Sequence, residues 1–289
     1  MSSEKLILVA GATGNQGGAV LRRLISRGWT VRAMSRDPDK PATRALAEKG
    51  VEVVRGDFGD LASLEAALDR AYGVYGVQNQ MQGGTKKETR DGIALAEAAR
   101  AAGVAHFVYS SVGGAERNTG ISHFESKRRI EERIAGIGLP ATVLRPVFFT
   151  DNLAGSGAMN AVFWGAVAGA LGRKKSLQVI SVDDIGAFAD IAFDDPERWI
   201  GRSTEIAGDE VTLPQAVAAY RAAKGRRPKY VPLPPWLLGR MDRDLGAMFR
   251  WFATNGYRAD IPTLREIHPG LKSFEEGLRT APPVRTTRR

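Results

Sequence analysis

The sequence predicts an α/β protein built on a doubly wound parallel sheet. Short apolar segments alternate with amphipathic segments from residue 6 to residue 146, and a glycine-rich turn directly follows the first apolar segment. Strands separated by helical stretches of about 10–15 residues pair in parallel through right-handed crossovers. A parallel sheet with helices on both faces follows from this alternation.

Six strands and five helices make up this predicted unit. The strands are predicted at residues 6–10, 30–34, 51–57, 73–78, 104–111 and 141–146. The helices are predicted at about 17–27, 41–50, 61–71, 88–103 and 122–138, and Gly50 and Gly103 are typical of helix ends.

The second half of the chain has a less regular pattern. A Gly/Ala-rich helix is expected within 151–175, a strand and a helix within 177–193, and a further strand at 203–208. We predict a dinucleotide-binding domain at 1–150 and a smaller lobe at 151–289, with about 177–208 returning to the main sheet. The tail from Ala281 carries no core residues and is predicted to be disordered.

Composition excludes several classes of protein. The chain of 289 residues has no cysteine and only three, widely spaced histidines, so no metal site is expected. The net charge of +9 is spread along the chain without a nucleic-acid-binding motif, which argues against specific nucleic-acid binding. No apolar run approaches a signal segment or a membrane span, so a cytoplasmic protein is expected. Its expected partner is a small molecule. The oligomeric state is left open.

The turn after the first strand has the spacing of a phosphate-binding loop. Gly11, Gly14 and Gly17 lie between a predicted strand and a predicted helix. Glycines allow a tight turn and a close approach of pyrophosphate to the helix N-terminus. Thr13, Asn15 and Gln16 are predicted to add side-chain donors. The alternative is a glycine-rich turn that binds no ligand.

The residues after the second strand favour NADP(H) over NAD(H). NAD-binding proteins place a carboxylate there to accept from the adenosine ribose, whereas this chain has Arg36. A guanidinium suits a 2′-phosphate, and Lys40 lies within reach of the same group. Asp57 and Phe58 are predicted to meet the adenine edge. The alternative for Arg36 is an exposed loop residue.

Five segments in order resemble the NmrA-like family of atypical short-chain dehydrogenase/reductases. They read GATGNQGGAV, SRDPDKP, VRGDFGD, HFESKRRIEERI and LRPVFFTDNL, and the resemblance is strong over about 5–152 and weaker to about 235. It implies an NADP-binding Rossmann domain with a C-terminal lobe that forms a substrate cleft. It also implies Arg36 as the 2′-phosphate contact, Lys127 as the family's lysine in the long helix, and 146–152 as the family's loop after the sixth strand.

One position departs from the reductase pattern. Ordinary short-chain reductases use Tyr-x-x-x-Lys, in which the tyrosine donates a proton and the lysine binds the nicotinamide ribose. Here the motif begins with His123 and ends with Lys127, which lie on one helix face. We predict both as catalytic residues. The alternatives are a cleft-lining His123 without proton transfer and an exposed surface Lys127.

Further side chains complete the predicted site. The cofactor set also includes Gln78, Pro146 and Phe149, and the substrate set comprises His123, Phe149, Asn152 and Trp164. The hydroxyl groups of 109–111 are further proton-donor candidates, whereas His106 is expected to pack against the sheet.

Two functions remain open from the sequence. The first is an NADPH-dependent reductase of a small aromatic or conjugated carbonyl or quinone-type acceptor, with the proton from His123 or water. The second is a non-catalytic NADP(H)-sensing regulator that acts through a protein partner.

Overall fold

The computed structural model describes residues 5–281; the predicted disordered tail beyond Ala281 lies outside them. The strands are β1 Leu6–Val9, β2 Thr30–Ser35, β3 Glu52–Arg55, β4 Gly73–Gly76, β5 His106–Ser110, β6 Ala141–Pro146, β7 Phe148–Phe149, β8 Ser176–Ile180, β9 Ser203–Ile206 and β10 Asp209–Thr212.

Helices connect these strands and complete the C-terminal part. They are α1 Asn15–Ser26, α2 Pro41–Ala47, α3 Leu61–Leu68, α4 Gly84–Ala101, α5 Ser122–Gly136, α6 Asp151–Ala154, α7 Ala158–Leu171, α8 Val182–Asp194, α9 Pro196–Trp199, α10 Leu213–Lys224, α11 Pro235–Met241, α12 Arg243–Thr254, α13 Ile261–Ile267 and α14 Phe274–Thr280. Within residues 5–281, no helix has both the length and the apolar character needed to cross a bilayer.

Seven strands form the main sheet, in the order β3-β2-β1-β4-β5-β6-β9. The pairs from β3 to β6 are parallel, which confirms the predicted doubly wound α/β class. The strands β4 and β5 are buried along their whole length, as strands covered on both faces must be. The chain moves outward from β1 through β2 to β3 and then crosses back to β4, so the direction of winding reverses between β1 and β4.

A second sheet corrects part of the predicted organisation. The strand β8 pairs antiparallel with β10 and parallel with β7, in a separate three-stranded sheet of order β10-β8-β7. The segment 177–208 therefore returns to the main sheet only through β9, and the prediction is wrong for its first strand. The apolar pattern identified β8 as a strand but carried no information about its neighbour, because pairing is a long-range contact.

The chain forms two compact units that do not follow a single boundary. Of the described residues, the first contains 5–118, 122–145 and 185–204, and the second contains 119–121, 146–184 and 205–281. The division at 150 and the substrate cleft stay predictions.

Most of α8 belongs to the first unit because it packs closely on α1. A Cβ on Gly186 would lie 2.9 Å from the carbonyl oxygen of Ala19, so only a glycine allows this approach. The carboxylate of Asp190 accepts from Arg23 Nε at 2.9 Å and from the Trp29 indole at 3.0 Å. This buried carboxylate is therefore well bonded, and it fixes the register of α8 on α1.

Candidate functional site

The glycine turn has the geometry of an anion-binding loop. Gly11 adopts φ +69°, and the Gly14 amide donates to its carbonyl oxygen at 2.8 Å. Gly14 is the N-cap of α1, and no side chain caps the helix. The first amides of α1 are thus left for water or a ligand, at the positive end of a 12-residue helix.

Gly17 explains why the turn tolerates no side chain. A Cβ there would lie 2.6 Å from the carbonyl carbon of Gly11, 2.9 Å from Ala10 O and still closer to Gly11 O. All three contacts are with backbone atoms, which cannot move aside by a rotamer change. The N-terminus of α1 is therefore held directly against the end of β1.

The polar residues of the turn divide into two groups. Thr13 and Asn15 are exposed, as expected for phosphate donors. Gln16 instead turns inward, and its Oε1 accepts from Ser110 Oγ at 2.7 Å and from Tyr75 Oη at 3.5 Å. Since Oε1 accepts these two bonds, only the amide nitrogen of Gln16 is left to donate to a phosphate, and that role stays a prediction.

The candidate 2′-phosphate contacts lie just beyond β2. Arg36 and Lys40 are both exposed, and Ser35 Oγ donates to Asp37 O at 2.9 Å across Arg36. Asp57 and Phe58, after β3, are half-buried. The Oδ1 atom of Asp57 accepts from the Gly59 amide at 2.9 Å, so this atom stabilises its own loop.

Lys127 is buried, which contradicts the alternative of a surface lysine. Its Nζ donates to Gln78 O at 2.9 Å and to Ser110 O at 3.4 Å, and it lies 3.2 Å from Glu88 Oε1. An ammonium has three N–H groups, and these three acceptors match that number. Burial lowers the pKa of Lys127, and the Glu88 carboxylate opposes this shift. The lysine thus links the carboxyl ends of β4 and β5 to α4.

Glu88 is the residue that sequence reasoning missed. Its side chain is 2% exposed, and its second carboxylate oxygen accepts from Ser126 Oγ. A signal was present, because Glu88 occupies the same helix face as the buried Gly92, Leu95 and Ala99. A carboxylate on the core-facing stripe of a helix requires a buried partner, and Lys127 supplies it.

Gln78, which is predicted to contact the cofactor, has a buried side chain, and its cofactor role stays a prediction. Both polar atoms of its amide are buried and have no hydrogen-bond partner within residues 5–281. A Cβ on Gly92 would lie 3.1 Å from Gln78 Oε1, so the amide is directed at α4 and not into open space. It is the backbone carbonyl of Gln78 that contributes to the site, through Lys127.

The remaining polar groups around α5 have distinct surroundings. His123 is half-buried, one turn before Lys127, and its ring meets the ring of Phe124 edge-on with 4.8 Å between centroids.

Tyr109 is fully buried, and burial raises its pKa well above the usual value, which argues against it as a proton donor to a ligand. Ser111 donates to Glu131, which Arg145 holds with Nη2 at 2.6 Å.

His106 is a packing residue, as expected. It is fully buried in β5, and burial lowers its pKa to about 4. The Thr142 hydroxyl donates to Trp199 O at 2.8 Å, so His106 Nε2 must be the donor in its own 2.8 Å contact with Thr142. Because burial lowers its pKa to about 4, the imidazole is neutral at physiological pH, with its proton on Nε2.

The other predicted residues belong to the second compact unit. Pro146 is buried, whereas Phe149 and Asn152 are half-buried. Trp164 is fully buried, its indole donates to Leu153 O at 3.1 Å, and its ring stacks on Tyr230. This corrects its predicted substrate role, since an indole without exposed surface is a core residue. Within residues 5–281 no cluster of three or more potential metal ligands occurs.

The first unit thus has the doubly wound architecture of dinucleotide-binding proteins, with its glycine turn at the point where the winding reverses. The profile of the NmrA-like family matches residues 3–276. The chain belongs to the NmrA-like family.

Individual relatives agree with this assignment. The chain is 30% identical over 267 residues to the NmrA-like family domain-containing oxidoreductase hkm9 of Aspergillus hancockii, which covers 81% of this chain and 77% of the relative. The structure of Citrobacter sp. triphenylmethane reductase complexed with NADP(H) superposes with a TM-score of 0.79 at 18% identity, over 96% of this chain and 100% of the other. The transcriptional regulator NmrA in complex with NADP has a TM-score of 0.76 at 18% identity, over 96% and 95% of the two chains.

Proposed function

We propose that the chain is an NADPH-dependent reductase that transfers hydride to a small aromatic or conjugated carbonyl or quinone-type acceptor. One observation carries the proposal: the uncapped glycine turn and the buried Lys127 lie at the carboxyl ends of β1, β4 and β5, which are neighbours in the main sheet. Ligands of open α/β sheets bind at this edge, where the winding reverses.

The residues present fit a dinucleotide. The amides of α1 are free of side-chain caps, and Gly14 has no Cβ between the turn and an approaching phosphate. Arg36 and Lys40 supply positive charge for a 2′-phosphate, while Lys127 and His123 lie one turn apart on α5. When bound, NADPH supplies the hydride. In this proposal Lys127 orients the ribose, and His123 or water gives the proton to the reduced acceptor.

The names of two similar proteins support the proposed reductase activity. The relative from Aspergillus hancockii is named an oxidoreductase, and the Citrobacter enzyme is a reductase whose structure contains NADP(H).

The preference for NADPH is tested at the end of β2. Arg36→Ala is expected to weaken NADPH binding by about tenfold to a hundredfold and to leave NADH binding nearly unchanged, because charge-assisted bonds to a phosphate contribute about 1.5–3 kcal/mol. Nicotinamide fluorescence titrations of both cofactors measure this. Arg44→Ala, which removes another exposed arginine near the same turn, serves as the control. Equal affinity of the unsubstituted protein for NADPH and NADH contradicts the 2′-phosphate assignment.

A non-catalytic NADP(H) sensor is the second candidate. The observation in its favour is that Lys127 already has three protein acceptors for its three N–H groups. A ribose hydroxyl must replace one of them, most readily Ser110 O at 3.4 Å, and that exchange offers a route by which dinucleotide binding changes the end of β5. A partner protein would then recognise the changed surface.

Stopped-flow kinetics distinguish the two candidates. Protein saturated with NADPH is mixed with a panel of quinones, enones, aldehydes and cationic dyes, and oxidation is followed by loss of nicotinamide absorbance. We expect turnover with at least one acceptor, and a slower hydride step in His123→Phe, whose ring preserves the packing on Phe124. Tight NADPH binding without oxidation by any acceptor contradicts the reductase and favours the sensor.

A further inference from the structure

A groove lies in the second compact unit, and none of the residues that line it is among those assigned to the dinucleotide. It has a volume of about 610 Å³, within the range of about 300–1,000 Å³ typical of ligand sites. Its apolar floor comes from α10, through Leu213, Pro214 and Val217, and Tyr230 forms a wall.

The rim of the groove is cationic, and no residue of the described part of the chain places a negative charge on it. Arg173, Arg221 and Arg227 line it, and no acidic residue does. None of the three makes an ion pair or a side-chain hydrogen bond with any residue in the described range 5–281. The surrounding sequence adds to this asymmetry, since residues 211–241 contain six lysines and arginines and no aspartate or glutamate.

The helix dipole accounts for only part of this arrangement. Arg221 lies in the last turn of α10, where positive charge is favoured, but Arg173 follows α7 and Arg227 lies beyond the end of α10. Elsewhere in the chain, arginines such as Arg23, Arg133 and Arg145 are paired with carboxylates. Three unpaired guanidinium groups around one groove repel each other, and an anion relieves that repulsion.

Packing and helix-capping contacts hold the base of the groove. The ring of Tyr230 stacks on the buried Trp164 with 6.0 Å between centroids. At its start, α10 has a capping box of Thr212 and Gln215, and Gly225 ends it at φ +69°. Tyr220, from the same helix, is buried against Trp164. The apolar floor and Tyr230 are therefore held in place without a ligand.

We propose that this groove binds a small amphiphilic organic anion, with its carboxylate, sulfonate or phosphate on the arginines and its apolar body on α10 and Tyr230. Guanidinium groups bind such anionic groups through paired hydrogen bonds, and the apolar floor selects against small inorganic anions. The site is a ligand site additional to that for the dinucleotide and does not depend on the proposed reaction.

The test uses 8-anilinonaphthalene-1-sulfonate, an aromatic sulfonate that fluoresces when bound, on the full chain saturated with NADPH. Saturation keeps the probe out of the dinucleotide site. We expect saturable binding that the double variant R221Q/R227Q weakens at least tenfold. The control double variant K229Q/R240Q removes two exposed cations outside the groove and is expected to bind as the unsubstituted protein does.

Two further measurements make the outcome decisive. The neutral analogue N-phenyl-1-naphthylamine is expected to bind at least tenfold more weakly than the sulfonate, and NADPH affinity is expected to be the same in both double variants. Far-ultraviolet circular dichroism verifies their folding. Absence of sulfonate binding, equal weakening by both double variants, or equal affinity for the neutral analogue overturns the proposal. Failure of NADPH binding in the unsubstituted protein contradicts the proposed function instead.

Discussion

Gly17→Ala is expected to lower the free energy of unfolding by about 3 kcal/mol and to abolish measurable NADPH binding. Overpacking a well-packed site by a methyl group costs about 1–3 kcal/mol, and the contacts here are with backbone atoms that have no alternative rotamers. The Cβ would meet the carbonyl groups of Gly11 and Ala10, so relief requires α1 to move away from β1. That movement displaces the very amides proposed to bind the pyrophosphate.

Urea unfolding followed by circular dichroism measures the stability, and nicotinamide fluorescence measures binding under conditions where the variant is folded. Gly136→Ala is the control, since a Cβ at this helical position meets no atom within 4 Å. It is expected to change the free energy of unfolding by less than about 1 kcal/mol. A folded Gly17→Ala protein with normal NADPH affinity would show that the glycine turn does not hold the dinucleotide.

The second large effect is expected at the buried pair of Lys127 and Glu88. Lys127→Met leaves the Glu88 carboxylate buried without its ammonium, and Glu88→Leu leaves the ammonium without its carboxylate. Removing one partner of a buried ion pair costs about 3–5 kcal/mol, whereas replacing both by apolar residues is often nearly neutral. The double variant Lys127→Met/Glu88→Leu is therefore expected to be more stable than either single variant.

Urea unfolding of the four proteins gives the coupling energy, which we expect to exceed about 2 kcal/mol. Lys87→Met is the matched control on the same helix: Lys87 is partly exposed, and its partner Asp91 keeps Arg90. It is expected to cost less than about 1 kcal/mol. If the double variant loses the sum of the two single losses, the coupling energy is zero and the two side chains do not interact as the geometry indicates. NADPH affinity should fall in both variants that lack Lys127, including the stable double variant.

The sheet and the glycine turn could be predicted because their signals are local. A strand buried on both faces requires an apolar run, and such runs occur at 6–10, 73–77 and 107–109. A strand-to-helix turn as tight as the one at Gly11 requires a positive φ and no Cβ at Gly17. The order of helices and strands then leaves few topologies, because parallel crossovers are right-handed.

The contacts of single side chains could not be predicted, because their partners come from distant segments of the chain. The sequence places Gln78 at the end of the predicted strand 73–78, and β4 ends at Gly76; periodicity does not say that the Gln78 amide faces Gly92 while its carbonyl oxygen accepts from Lys127. Trp164 lies in a helix whose small residues look suited to a cleft, yet its ring is covered by Tyr220 and Tyr230 from distant segments. Contacts of this kind join residues that are far apart in sequence, and no local pattern encodes them.

The sequence by itself determined the doubly wound class, the glycine turn and the basic residue after β2, since each depends on the conformations that neighbouring residues allow. Tertiary structure alone decided the rest. The strand β8 pairs in a second sheet. The Lys127 ammonium contacts Gln78 O, Ser110 O and Glu88. Three arginines, Arg173, Arg221 and Arg227, line one groove. These features arise when packing brings separate segments together, because burial then dictates which polar groups are paired and which charges are not.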